Sequence, residues 1–148
     1  MDIVHVKWNG DRRFVGWDSA GHGVVMDAPG VEGPVTGVRP IEAALYALGG
    51  CTGIDVIGIL RKKRQVVTDF EVIVRGEQRE EQPRRYERIE IEYVVTGRGV
   101  KPVAVERSIE LSEDKYCSVR AMIDPSVKLT SSYRIIEAPA DGEPSSEA

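Results

Sequence analysis

Cysteine is scarce in this chain, with two in 148 residues. Two thiols cannot build a disulfide framework, so a small stapled extracellular fold is excluded. A large excess of either charge is also missing. Twenty basic residues stand against 24 acidic ones, a formal charge of −4 with a pI near 5.3. That balance argues against a general nucleic-acid binder, whose footprint is a strong basic surplus. GxGxxG, the Walker A loop, HExxH and GxSxG are all absent, so the common nucleotide-binding, zinc-protease and serine-hydrolase motifs do not apply. No N-terminal stretch reads as a signal peptide and no internal repeat occurs. The expected address is the reducing cytoplasm.

What is present is ordinary for a soluble globular domain: 41% hydrophobic and 30% charged residues. A chain of this length buries roughly two thirds of its unfolded surface, enough for one core. The only long apolar run is Ile41 to Leu60, about the length a bilayer requires. Glu42 and Asp55 lie inside it and would be costly in lipid, and no aromatic belt accompanies it. The run therefore predicts a buried core helix and no membrane partner.

Val4, Val6 and Trp8 alternate with His5 and Lys7, Asn9-Gly10-Asp11 turns the chain, and Arg12 to Trp17 resumes the extended pattern. His22 to Asp27 predicts a third short strand, and Ala28 to Arg39 a loop. Pro40 opens the long helix, Glu42 suits its positive end, and Arg61-Lys62-Lys63-Arg64 suits its negative end. Gly49, Gly50, Gly53 and Gly58 each cost about 1 kcal/mol in a helix interior. An unbroken helix with another backbone or a ligand pressed against that face is the expected compensation. Strands follow around Phe70 to Val74 and Ile89 to Val95, joined through a charged tip from Gly76 to Arg85. A helix begins at Lys101-Pro102, a short one at Cys117, and a last strand covers Leu129 to Glu137. The fold class is α+β, with mostly antiparallel strands around a long buried helix. A helix apolar on all sides needs cover on its second side, so a dimer wrapping it is expected.

The candidates for chemistry are few. Cys51, Cys117, His5 and His22 match no metal-ligand spacing such as CxxC or HxxxH, so no metal and no bound cofactor are expected. Cys51 is flanked by apolar residues and needs a cation to become a thiolate. Cys117 starts a helix, whose N–H groups favour the thiolate. Arg12, Arg13, Arg39 and Arg120 are the cations near helix or hairpin ends. Moving a thiol two pKa units down takes roughly 2.7 kcal/mol. Two cysteines on different helices suggest a reversible disulfide, which requires that the two positions meet. Two thiols that never meet are the alternative.

Arg39-Pro40-Ile41-Glu42, Ala47-Leu48-Gly49-Gly50-Cys51-Thr52-Gly53-Ile54-Asp55-Val56 and Tyr116-Cys117-Ser118-Val119 resemble, in order and spacing, the OsmC/Ohr family of thiol-dependent hydroperoxide reductases, in its ALGGCTG branch. The resemblance covers residues 1–137 as one OsmC-like domain and leaves 138–148 as a disordered tail. It implies an intertwined homodimer with the long helix at its centre. It also implies that Cys51 is the peroxidatic thiol and Cys117 the resolving one, that an organic hydroperoxide is reduced to an alcohol, and that a dithiol reductant restores the pair. The family's carboxylate directly follows the helix proline. Here Ile41 takes that place, and Glu42 comes 100° further round the helix. The family's thiolate-stabilising arginine falls on Arg12 or Arg13. His22 reads as a surface turn residue. A non-catalytic ligand-binding or stress-associated protein on the same fold is the alternative function.

Overall fold

A computed structural model describes residues 1–30 and 33–140. The fold is α+β, with two three-stranded sheets, β1-β2-β3 and β4-β5-β6. The strands are β1 Val4–Trp8, β2 Phe14–Asp18, β3 Gly23–Met26, β4 Val66–Gln78, β5 Tyr86–Arg98 and β6 Lys128–Glu137. Helices are α1 Pro40–Lys62, α2 Pro102–Leu111 and the short α3 Ser118–Ala121, with a π-helical turn, Ser112–Tyr116, between the last two. The chain divides into two compact units, residues 1–44 and 45–148, the division falling inside α1. Of the expected tail, residues 141–148 lie outside the described residues.

The first unit is an antiparallel meander. Gly10 takes a φ of +88° and Asp11 of +41°, which lets Asn9-Gly10-Asp11 close β1 on β2. Its anchor is Asp27, nearly fully buried. The Asp27 carboxylate accepts from Thr36 N at 3.0 Å and Thr36 Oγ1 at 3.1 Å, from Ala28 N at 2.8 Å, and from Arg13 Nε at 3.3 Å. These donors pin the loop after β3 to the hairpin. By contrast the sheet faces are bare: Val4, Val6, Trp8, Val24 and Val25 are all exposed.

The second unit holds the core. On β5, Ile89, Ile91, Tyr93 and Val95 are buried on one face. Arg88, Glu90 and Glu92 lie on the other, as period-two alternation requires. On that outer face Glu92 bridges Arg75 of β4 at 2.9 Å and Arg134 of β6 at 3.1 Å. β4 and β5 form a long antiparallel hairpin. β6 runs parallel to β5, from Arg88 opposite Lys128 to Gly97 opposite Glu137, which departs from the mostly antiparallel expectation within this sheet. The reason lies in the connection. A parallel neighbour needs a crossover of a dozen or more residues, and α2, the π turn and α3 supply it.

α1 is unbroken through its four glycines. It stops at Lys62, and Arg64 takes a φ of +57° to turn the chain out. Leu48, Thr52, Val56 and Leu60 recur every fourth residue and are its buried members. Added to Gly49, a Cβ would lie 3.0 Å from Val74 Cγ2; at Gly53 it would lie 3.3 Å from Val72 Cγ2. Valine side chains of β4, rather than a backbone, are thus what those glycines accommodate. Gly50 and Gly58 meet nothing within 4 Å. The expectation of an enclosed helix holds on one side only, because Tyr46 and Ile54 are exposed. By length and composition alone α1 could cross a membrane. Its polar members Thr52 and Asp55, however, bond to other elements of the unit.

Hydrogen bonds, those from Thr36 foremost, hold the Asp27 carboxyl below its ordinary 3.8. A depressed folded-state pKa stabilises above 3.8, and that stabilisation fades as the pH falls through the lower folded value. Asp27→Asn is therefore expected to lower the thermal midpoint at pH 7. The gap to wild type should shrink below pH 3.8, as read by thermal denaturation across pH.

Candidate active site

The site grows from one residue spacing. Cys51 and Asp55 are four apart on α1, so they share a face one turn apart. Opposite them, the π turn closes with Cys117 N donating to Ser112 O at 2.8 Å. This wider turn places Ser112 and Cys117 at its two ends, and π turns commonly mark functional positions. Cys51 Sγ, Cys117 Sγ and an Asp55 carboxylate oxygen all lie within 4.8 Å of one another. Both cysteines are free, Cys51 half-buried and Cys117 buried. Sequence reasoning named the two cysteines, and the structure brings them together.

Beneath them runs a buried file of hydroxyls. Tyr93 OH and Thr52 Oγ1 are 2.6 Å apart, and Thr52 Oγ1 and Ser112 Oγ are 2.9 Å apart. Ser112 Oγ donates to Asp55 Oδ2 at 3.0 Å. A hydroxyl has one proton, so Ser112, having given its own to the carboxylate, accepts from Thr52, which in turn accepts from Tyr93. Burial pushes the Tyr93 phenol up to about 12, so it keeps the proton it donates. The file runs one way, toward Asp55.

Cys117 behaves differently from its expected role as a helix-start thiolate. α3 has only four residues, and Cys117 caps it by accepting from Arg120 N at 3.4 Å. Burial outweighs that bond, and Cys51 and Asp55 beside it add to the effect, so the thiol is pushed up to about 11. A single sulfur-accepting N–H bond cannot offset removal of a thiolate from water. Arg120 Nη2 lies 3.5 Å from Glu113 Oε2, whose other carboxylate oxygen accepts from Ser131. Arg120 Nη1 is buried without a hydrogen-bond partner among the described residues.

The other named residues belong to the first unit, each held locally. Arg13 pairs with Asp27, and Arg12 Nη1 donates to Pro29 O at 3.0 Å. Glu42 pairs with Arg39, which holds its carboxyl below the ordinary value. His22 is exposed and sits 2.9 Å from Asp18 Oδ2, as a turn residue does. His5 stacks on Trp17 with ring centroids 5.4 Å apart. Sequence reasoning weighed Asp55 only as a cost in lipid; its spacing from Cys51 was the available signal. Two sulfurs and a carboxylate are donor types that a thiophilic divalent ion accepts, and they are the one such grouping among the described residues.

Residues 32–132 match the family described as OsmC-like protein. Protein YhfA of Escherichia coli K12 is 43% identical over 136 residues, 91% of this chain and 98% of its own length. A hypothetical protein from Aquifex aeolicus VF5 superposes with a TM-score of 0.82 at 34% identity, covering 94% of this chain and 98% of that one. The chain belongs to the OsmC-like family. An organic hydroperoxide resistance protein OsmC from Legionella pneumophila has the same fold, with a TM-score of 0.63 at 12% identity over 90% of this chain and 96% of that one.

With its thiol at about 11, Cys117 in the reduced protein is expected to resist iodoacetamide at pH 7 to 8 and to become reactive only as the pH approaches 11. Cys51→Ala removes one of the groups that raise it and should shift that profile to lower pH. Burial keeps it above an ordinary thiol. Mass-spectrometric alkylation across pH reads both; rapid Cys117 labelling at pH 7 in folded protein contradicts the assignment.

Proposed function

We propose that the protein is a thiol-dependent peroxidase that reduces organic hydroperoxides to alcohols through a reversible Cys51–Cys117 cycle. The observation that carries this reading is two free sulfurs within 4.8 Å of each other, one half-buried and one buried. Unequal access orders the steps. The Cys51 thiolate attacks the distal peroxide oxygen, releasing an alcohol and leaving a sulfenic acid. Cys117, shielded from peroxide, then condenses with it to a disulfide and water. Bringing the sulfurs to bonding distance asks for a closure of up to about 2.8 Å, and a dithiol reductant reopens the pair.

The working state in this reading is a homodimer. Its support is the exposure of Tyr46 and Ile54 on α1 and, separately, of Val4, Val6 and Trp8 on the first sheet, since exposed apolar surface marks association. In the same reading the protein works in the cytoplasm, where dithiol reductants are available. One observation favours a second reading, a ligand-binding protein with slow thiols. Arg13 and Glu42 are already engaged by Asp27 and Arg39, so neither is a free tuning group.

Steady-state turnover of an organic hydroperoxide and of hydrogen peroxide with a dithiol reductant decides between them. Wild type should turn over with the organic substrate preferred, and Cys51→Ser should abolish consumption. Cys117→Ser should react once and then stall as a sulfenic acid trapped by dimedone. Absence of turnover in reduced wild-type protein overturns the peroxidase in favour of the binder.

A further inference from the structure

One carboxylate lies close to both sulfurs, and its position is more constrained than a chance acid on a helix would need. Asp55 is one turn from Cys51, within 4.8 Å of both Sγ atoms, and its Oδ2 is fixed by the Ser112 hydroxyl at 3.0 Å. Ser112 is fully buried and is oriented by Thr52 and Tyr93 behind it. Three residues from three elements, Ser112, Thr52 and Tyr93, thus hold one carboxylate near a pair of thiols.

Disulfide formation needs such a group. Cys117 enters the step carrying a proton, because its buried thiol does not ionise near neutrality. The oxidised Cys51 leaves the step by losing hydroxide, which must gain a proton to depart as water. We propose that Asp55 is the proton acceptor shared by the two sulfurs, taking the Cys117 proton as that sulfur attacks Cys51 and passing it to the group that leaves Cys51. This deepens the peroxidase reading and rests on Cys51 being the sulfur first oxidised. In the step, a Cys117 sulfur lone pair forms the S–S bond and the Cys51 S–O bond breaks with its electron pair on oxygen. The Cys117 sulfur is oxidised, the sulfenic sulfur is reduced, and water leaves. Because transfer accompanies attack, free thiolate never has to accumulate. Ser112 is a positioning residue: its hydroxyl holds the carboxylate near both sulfurs.

Charge alone predicts the opposite behaviour. Asp55 is one of the groups that raise the Cys117 thiol, so removing its charge would make Cys117 a better nucleophile. The other titratable or charged groups around it are Cys51 on α1, Tyr93 on β5, Glu113 on the π turn, and Cys117 with Arg120 at α3. All are retained in Asp55→Asn and Ser112→Ala.

The test is stopped-flow reaction of the full-length reduced protein with 4,4′-dithiodipyridine, whose thiopyridone release reports each sulfur in turn. The first phase is attack by Cys51 and depends on reagent concentration. The second is closure by Cys117, is independent of it, and vanishes in Cys117→Ser. Asp55→Asn is expected to slow the second phase at least about tenfold at pH 7, with the gap narrowing as pH rises and Cys117 ionises unaided. Ser112→Ala, which keeps the carboxylate but frees it, should slow closure by a smaller factor while its circular dichroism matches wild type. Closure in Asp55→Asn as fast as or faster than wild type overturns the proposal, as does a wild-type protein with no second phase. If Asp55→Asn fails to fold, unchanged closure in Ser112→Ala overturns it. No peroxide is present, so a protein inactive toward peroxides still answers the question, and the two failures stay separate.

Discussion

Everything distinctive about this site depends on burying hydroxyls rather than hydrocarbons between α1 and β5. Thr52 occupies a position in the buried stripe of α1 where an aliphatic residue would pack as well. A buried hydroxyl without a partner costs roughly 1–3 kcal/mol, so Thr52 commits two other elements to meeting it. Tyr93 does so from β5 and Ser112 from the π turn. The file can end only on an acceptor with no proton of its own, and Asp55 provides it. Satisfying one polar side chain therefore sets the register of α1 against the sheet. It also sets the placement of the turn that carries Cys117.

That dependence explains which parts of the fold could be read in advance. Pro40 and the Arg61-Lys62 pair mark the ends of α1 because capping and dipole effects are local. Ile89, Ile91, Tyr93 and Val95 announce a strand because their alternation is local too. The parallel pairing of β6 with β5 is not local. It follows from where the crossover returns the chain, which Leu129 to Glu137 does not encode alone. The π turn, Ser112–Tyr116, is equally hidden, because Leu111-Ser112-Glu113-Asp114 reads as the loose end of a helix. Ser112, at the start of the wider turn, bonds Thr52 and Asp55, partners that lie 60 and 57 residues away and leave no local mark.

The site residues divide along the same line. Cys51 and Cys117 stood out by type, and Asp55 stood four residues from one of them in plain view. It looked like a liability because the run around it is apolar. An acid inside an apolar helix signals either strain or purpose, and the partner that distinguishes them, Ser112, lies 57 residues away. Cys117 shows how a correct local rule loses to a non-local one. Its N-cap position and the Arg120 N–H pull the thiol down, but enclosure by the rest of the unit pulls harder, and the net direction is up.

In the proposed cycle, a buried resolving thiol that keeps its proton has a consequence for selectivity. A thiol reacts with peroxides as its thiolate, so Cys117 at about 11 is protected from direct oxidation both by enclosure and by protonation. Over-oxidation is then confined to the half-buried Cys51. The cost is that Cys117 is a poor nucleophile when its turn comes, and an unaided thiol so far from ionisation would close the disulfide slowly. Protection and reactivity conflict unless the proton is removed only at the moment the partner sulfur is ready to accept attack. In the proposed step, a carboxylate held near both sulfurs by a fixed hydroxyl meets both demands, because it acts on Cys117 only when an oxidised Cys51 offers somewhere for the proton to go.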